Sequence, residues 1–276
     1  MSYPVSLPQS NPLITVTHPT PALWVIELHN GADSRLTDVL LTQALKPALD
    51  IVERHWRENW RAGQSKGDEA LCKGALVIVG NRKQDKFFSN GLDWENASKE
   101  PTFHTNFFRV VLNPVVSRLL TFPIPTIAAV NGHAFAAGMI LALACDYRVM
   151  TDGSKRNAWL SMNEIHFGAT LPLSLAAVLR AKAPSPQILR KIILEGHRFT
   201  AKEAHDVGLV DRIVAGNTED VLAEAQALAE SVSTLAKTGA WGLNRSEMYR
   251  DVVEGFGRDT QVVSALADDA AAKARL

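Results

Sequence analysis

The sequence predicts an α/β protein, and three observations lead there. Short runs of wholly apolar residues alternate with segments whose apolar positions recur at helical spacing, the pattern of strands and helices packed in layers. Hydrophobic residues make up 46% and charged residues 21%, which supplies a sizeable core and argues against disorder. The 29 basic and 29 acidic side chains cancel, so no basic excess offers a footprint for a polyanion such as nucleic acid. At 276 residues the chain fits one large domain or two small ones.

Residues 24–29 (WVIELH) follow a proline-rich start and read as a strand. Residues 37–60 carry Leu41, Leu45, Leu49 and Val52 at helical spacing, with Asp38 near the start, where the helix dipole favours an acid. Residues 57–73 are polar and include Gly63 and Gly67, which predicts a surface loop or insertion. Residues 75–79 (ALVIV) form a fully apolar run ending at Gly80, as expected of a buried strand. A second such run, 125–130 (PTIAAV), ends in the turn signal Asn131-Gly132.

An alanine-rich helix is predicted over 137–145 and a strand over 147–150. Helices are predicted over 171–183 and 186–194. Thr200 and Glu203 make a capping box for another, and 207–214 returns to strand. From 219 onward the pattern is helical, with Val221, Leu222, Ala225 and Leu228, then Val253, Val262 and Leu266. No repeat or low-complexity tract interrupts it.

Several chemistries are excluded. Cys72 and Cys145 are too few for a disulfide framework, and no CxxC or HExxH spacing offers a metal site. The longest apolar run, 134–145, falls short of the roughly 20 residues that a membrane span needs. The N-terminus has no charged flank followed by an apolar stretch, so an intracellular globular protein is expected. There is no GxSxG elbow and no phosphate-binding GxxxxGK[ST] loop. Gly255 and Gly257 lack the third glycine of a dinucleotide fingerprint.

Two segments remain. One is FFSNGLD, from Phe87 to Asp93, and the other is NGHAFAAG, from Asn131 to Gly138. Each places small residues after a predicted buried strand, at a turn into a helix. Backbone N–H groups in such turns have no intrahelical acceptor, and two that converge on one oxygen make an oxyanion hole. Either turn alone is an ordinary strand-to-helix connection.

Together, and in this order, they resemble the crotonase (enoyl-CoA hydratase/isomerase) family. The landmarks are FFSNGLDW, PTIAAVNGHAFAAGMILALACDYRVM and FTAKEAHDVGLVD, and the resemblance runs over about residues 20–215. It implies a crotonase-like spiral core of ββα units over 1–215 and a C-terminal helical region over 216–276 that serves packing or oligomerisation. It also implies backbone oxyanion donors at Asn90 and Ala137, which would hold the oxygen of a thioester enolate. The family's hydratases use two glutamates. Here the first position is Ile140 and the second is Glu164. A single carboxylate suits a proton shuttle from C2 to C4, so the resemblance is closest to the Δ3,Δ2-enoyl-CoA isomerases, with Glu164 as the base. Apolar walls would raise its pKa toward the value a general base needs.

The implied substrate is an acyl-CoA, with Arg82, Lys83 and Lys86 near its phosphates. Ser89, Gly91, Leu92, Asp93, Gly138 and Ile140 would surround its reacting end. Leu92, Trp94, Phe107, Leu171 and Leu173 are candidates for an acyl tunnel. His133, His166, His197 and His205 read as structural, with His166 near enough to Glu164 to line the pocket. Asp93 and Asp146 read as a cap and a strand-start hydrogen bonder. No cofactor is expected, coenzyme A being part of the substrate, and no nucleic acid, membrane span or metal. A homotrimer or hexamer is expected. The ending Ala274-Arg275-Leu276 resembles an SKL-type peroxisomal address read by an import receptor, with the cytoplasm as the alternative location. The competing functions are hydration or another crotonase-type reaction, and a non-catalytic acyl-CoA-binding or scaffold protein.

Overall fold

A strand in one sheet, a strand in a second sheet, then a helix: the chain repeats this sequence of elements, in a computed structural model that describes residues 2–97, 99, 103–258 and 264–275. It opens with β1 (Val5–Leu7), β2 (Ile14–Thr20) and β3 (Leu23–Leu28), paired antiparallel in that order. A π-helical turn at Leu40–Leu45 runs into α1 (Lys46–Lys66), and β4 (Ala75–Val79) returns parallel to β3. Next, β5 (Phe87–Ser89) starts the second sheet. The short α2 (Trp94–Ala97), a π-helical segment Phe103–Leu112 and α3 (Asn113–Leu120) lead back to β6 (Thr126–Val130), parallel to β4.

The unit then recurs. The chain passes from β7 (His133–Phe135), beside β5, to α4 (Ala137–Ala144) and β8 (Tyr147–Thr151), beside β6. It continues through β9 (Trp159–Ser161), beside β7, a 3-10 turn Glu164–Phe167, α5 (Leu173–Lys182) and α6 (Pro186–Ile193). The edges are closed by β10 (Phe199–Thr200) and, after α7 (Ala201–Asp206), by β11 (Arg212–Val214). The remaining helices are α8 (Thr218–Val232), α9 (Ala240–Met248), α10 (Arg250–Phe256) and α11 (Ala265–Arg275), with a 3-10 turn Ser233–Ala236 after α8. The sheets have the orders β1-β2-β3-β4-β6-β8-β11 and β10-β9-β7-β5. This is the spiral of ββα units that the family resemblance implied.

The apolar runs lack alternation because the main sheet is covered on both faces. One set of side chains, including Trp24, Ile26, Leu76, Ile78, Ala128 and Met150, enters the large core with α1, α3 and α4. The intervening set, Val25, Val77, Val79, Ile127, Ala129 and Val149, packs on Val221, Leu222, Ala225, Leu228 and Ala229 of α8. So the helical region after residue 215 begins with a helix that closes the main sheet.

α4 is buried along its whole length. Its C-terminal carbonyls are met by three cations. Arg245 Nη2 donates to Ala144 O at 3.2 Å, while Arg148 Nη1 and Lys182 Nζ donate to Cys145 O at 3.1 and 3.2 Å. Asp146 neutralises Arg245 at 2.9 Å, and Asp211 pairs with Arg148 at 3.2 Å. Burial, helped by the nearby Arg148, pushes the Lys182 ammonium down to about 8. Burial likewise pushes the Cys145 thiol up to about 12.

Three sequence expectations need correction. Residues 57–66 are not loop, because α1 continues to Lys66 and ends at Gly67 in the left-handed conformation, φ +66°. The strand expected over 207–214 is confined to Arg212–Val214, since the amides of Leu209 and Val210 both turn back to the Ala204 carbonyl at the end of α7. The proline-rich start holds two strands, β1 and β2. The capping box at Thr200 and Glu203 forms as expected. Of the C-terminal tripeptide, Ala274 and Arg275 end α11, and Leu276 lies outside the described residues.

Candidate functional site

The two turns singled out in the sequence lie against each other. A Cβ on Gly91, which has φ +80°, would sit 2.8 Å from Phe135 O and 2.9 Å from Ala136 Cβ. A Cβ on Gly138 would fall 2.3 Å from Ser89 O. Only glycine permits both approaches, and they bring the end of β5 onto the start of α4. Ala136 enters α4 with φ 51° and ψ −126°, a conformation that L residues rarely adopt, and its N–H donates to Ser161 O at 2.8 Å. The next two amides, of Ala137 and Gly138, have no intrahelical acceptor, whereas those of Met139 and Ile140 donate to Ala136 O at 2.9 and 3.2 Å.

Residues 33–36 buttress the β5 turn. Asn90 N–H donates to Asp33 O at 2.9 Å, and Asn90 Nδ2 donates to Asp33 Oδ2 at 3.0 Å. Ser89 Oγ donates to Ser34 O at 2.7 Å, and Leu36 N–H donates to Gly91 O at 2.8 Å. Arg35 Nε donates to Asp33 Oδ2 at 2.9 Å and Arg35 Nη1 to Leu92 O at 3.3 Å. These contacts correct the expectation for Asn90. Its amide is occupied by Asp33 and is not free for a ligand oxygen. Leu92 N–H has no acceptor among the described residues, and Leu92 lines the same cavity as Ala137.

That cavity measures about 350 Å³. Its apolar walls include Trp94, Phe108, Phe167, Leu171 and Leu175, and its polar lining includes Arg35, Glu95, Asn163 and Glu164. Glu164 opens the 3-10 turn, which Gly168 ends with φ +73°. Its Oε2 is sealed from solvent and has no hydrogen-bond partner among the described residues. Burial pushes the carboxyl up to about 7, and a hydrogen bond from its own backbone offsets only part of that loss of hydration.

The other candidates are distributed unevenly. Phe108 lines the cavity and Phe107 does not, and Leu175 takes the place expected for Leu173, which is 43% exposed. Ile140 is fully buried, and Gly138 and Ser89 shape the turns without lining the cavity. Asp93 stands immediately before α2. Arg82, Lys83 and Lys86 are exposed between β4 and β5, outside the cavity lining. Arg82 forks onto Glu219 at 2.9 and 2.8 Å, which leaves it less available to a phosphate, and Lys86 lies over the Phe87 ring.

His133 is stacked between Phe135 and Trp159, and burial together with Lys86 and Arg198 pushes it down to about 4. His166 contacts Gly196 O at 3.2 Å and is not among the cavity-lining residues. His197 does have a carboxylate neighbour that the sequence left unassigned, Glu203 at 3.5 Å, and His205 has Asp206 at 3.9 Å. Asp146 Oδ2 accepts from Thr126 N and Oγ1 at the start of β6. Among the described residues no group of three His, Cys, Asp or Glu could hold a metal ion, and no helix is long and apolar enough to cross a membrane. Sequence reasoning missed Arg35, Glu95 and Asn163, none of which belongs to a turn motif. The signals were of adjacency alone: Asn163 stands beside Glu164, and Glu95 beside Trp94.

Comparison with known proteins adds an independent line. A family profile described as Enoyl-CoA hydratase/isomerase matches residues 68–252. Enoyl-CoA delta isomerase 2, peroxisomal, of Arabidopsis thaliana is 34% identical over 196 residues, covering 69% of this chain and 80% of that protein. Enoyl-CoA delta isomerase 1, peroxisomal, of the same plant is 29% identical over 231 residues, covering 84% and 88%. The crystal structure of an enoyl-CoA hydratase from Mycobacterium marinum superposes with a TM-score of 0.70 at 24% identity, over 90% of this chain and 96% of that one, a likeness of fold.

Proposed function

Because the chain belongs to the enoyl-CoA hydratase/isomerase family, we propose that it moves the double bond of a 3-enoyl-CoA to give the trans-2-enoyl-CoA. Glu164 removes a proton from C2, and the electron pair delocalises through the C3–C4 double bond and onto the thioester oxygen. The N–H groups of Leu92 and Ala137 accept that negative charge as hydrogen-bond donors. Glu164 then returns the proton at C4, leaving the double bond between C2 and C3. Proton and electrons balance within one substrate, so the step calls for no redox group or metal, and coenzyme A arrives with the substrate.

The observation that carries this reading is the state of Glu164. It is a carboxyl with one oxygen, Oε2, sealed and unpartnered among the described residues and with a pKa near 7, in a cavity also lined by Leu92 and Ala137, whose amides lack acceptors. A base of that strength both takes and returns a proton near neutral pH. Ile140, fully buried and apolar, occupies the place where the hydratases' first glutamate was expected, which leaves water without that activator. Glu164→Gln is expected to lower turnover of 3-hexenoyl-CoA about 10³-fold. Turnover at the wild-type rate would overturn the assignment.

Hydration is the second reading, and one observation favours it: Glu95 also lines the cavity. Water addition to crotonyl-CoA that outpaces isomerisation, and that Glu95→Gln removes, would decide for it. Peroxisomal placement extends the printed names of the two plant relatives to this chain, and imaging of the tagged protein checks it. A homotrimer or hexamer belongs to the same proposal and is read by sedimentation.

A further inference from the structure

The peptide that carries the Leu92 N–H is gripped from behind. Its carbonyl is Gly91 O, which accepts from Leu36 N–H at 2.8 Å. In a trans peptide the N–H and C=O point in opposite directions, so this bond fixes the plane and polarises the N–H outward. A plane hung on one bond can still rock about its two Cα atoms. The peptides on either side therefore decide where the N–H aims.

The Asn90–Gly91 peptide is held by Ser89 Oγ, which accepts Gly91 N–H at 3.3 Å, and the residues on either side of Gly91–Leu92 are tied to one pair of residues, Asp33 and Arg35. On the N-terminal side, Asp33 Oδ2 accepts from Asn90 Nδ2 at 3.0 Å while Asp33 O accepts Asn90 N–H at 2.9 Å. On the C-terminal side, Arg35 Nη1 donates to Leu92 O at 3.3 Å. The two side chains are locked together by Arg35 Nε on Asp33 Oδ2 at 2.9 Å. Arg35 also lines the cavity, so the clamp stands at the site.

We infer that Arg35, braced by Asp33, is a positioning residue that aims the Leu92 N–H at the substrate's thioester oxygen. The inference rests on the proposed function, in which that amide receives the enolate charge. Arg35 acts through the turn and takes no part in proton transfer. A hydrogen bond aimed at developing charge matters more in the transition state than in the ground state, so loss of the clamp belongs in kcat.

The test uses Arg35→Met and Asp33→Asn in the full chain, with two readouts. Steady-state turnover of 3-hexenoyl-CoA gives kcat and KM. Infrared difference spectra of bound hexanoyl-CoA, labelled with carbon-13 at the carbonyl, report how strongly the oxygen is polarised. Each variant is expected to lower kcat about 10-fold to 100-fold with KM held within about twofold, and to shrink the carbonyl shift. Should Arg35→Met fail to fold, Asp33→Asn decides, because it keeps the shape of the side chain and the backbone acceptor.

A higher KM with kcat and carbonyl shift unchanged would make Arg35 a ligand-binding cation and overturn the inference. A lower kcat with the full carbonyl shift would overturn it too. If the wild-type protein leaves the carbonyl frequency at its free value, the oxyanion assignment itself falls. If the wild type shifts it and both variants shift it equally, only the clamp falls.

Discussion

In the proposed reaction Glu164 sets the pH behaviour of the site. A general base acts when ionised, so kcat/KM for the isomerisation is expected to rise with pH along a limb centred near 7, the value to which burial lifts this carboxyl. Stability runs the other way. The ordinary value is 4.5, so between pH 4.5 and 7 the folded chain holds more protons than the unfolded one, and stability falls as pH rises through that window. Glu164→Gln cannot ionise. Its advantage over wild type in urea unfolding is expected to be absent below pH 4.5 and to reach about 3 kcal/mol above pH 7. An advantage independent of pH would mean that the carboxyl is hydrated. At this scale the sequence pointed to Glu164 and Ala137 through their motifs, but not to which β5-turn amide is free. That depends on Asp33, which comes from the loop after β3 and meets Asn90 only in the folded chain.

The entry to α4 is the strained element. Ala136 holds φ 51° because Ser161 O takes its amide and the amides of Met139 and Ile140 take its carbonyl. Such a conformation costs a residue with a Cβ of order 1–3 kcal/mol. Glycine removes that cost but loses roughly 0.4–1 kcal/mol through the freer unfolded chain. Ala136→Gly is therefore expected to stabilise the protein by about 1 kcal/mol, seen as a higher urea midpoint with an unchanged slope. A lower midpoint would show that the Ala136 methyl packs well enough to outweigh the strain. Elements were legible in proportion to their burial. The runs 75–79 and 125–130 announced β4 and β6, whereas β5, β7, β9 and β10 are two or three residues long and show no period. The last turns of α1 were hidden for the opposite reason. Beyond Trp56 they bury only Gly63, so no apolar stripe continues through them.

Across the whole molecule, the C-terminal region is tied to the core by the packing of α8 on the main sheet and by one deeply buried side chain of α9. Arg245 of α9 is 4% exposed and reaches Phe122 O, Ala144 O and Asp146. Arg245→Met would leave Asp146 buried beside unsatisfied carbonyls, and it is expected to cost about 3 kcal/mol in urea unfolding. A loss under about 1 kcal/mol would mean that water replaces the guanidinium. The same ties bear on the cavity at the other end of α4. Arg148, Lys182 and Arg245 neutralise the carbonyl end of this helix, so its amide end is left as an unbalanced pole. An anion in the cavity is met by the field of a whole helix rather than by single N–H groups. In the proposed reaction, the negative charge that develops at the amide end of α4 is thus met partly through residues 148, 182 and 245, none of which lines the cavity.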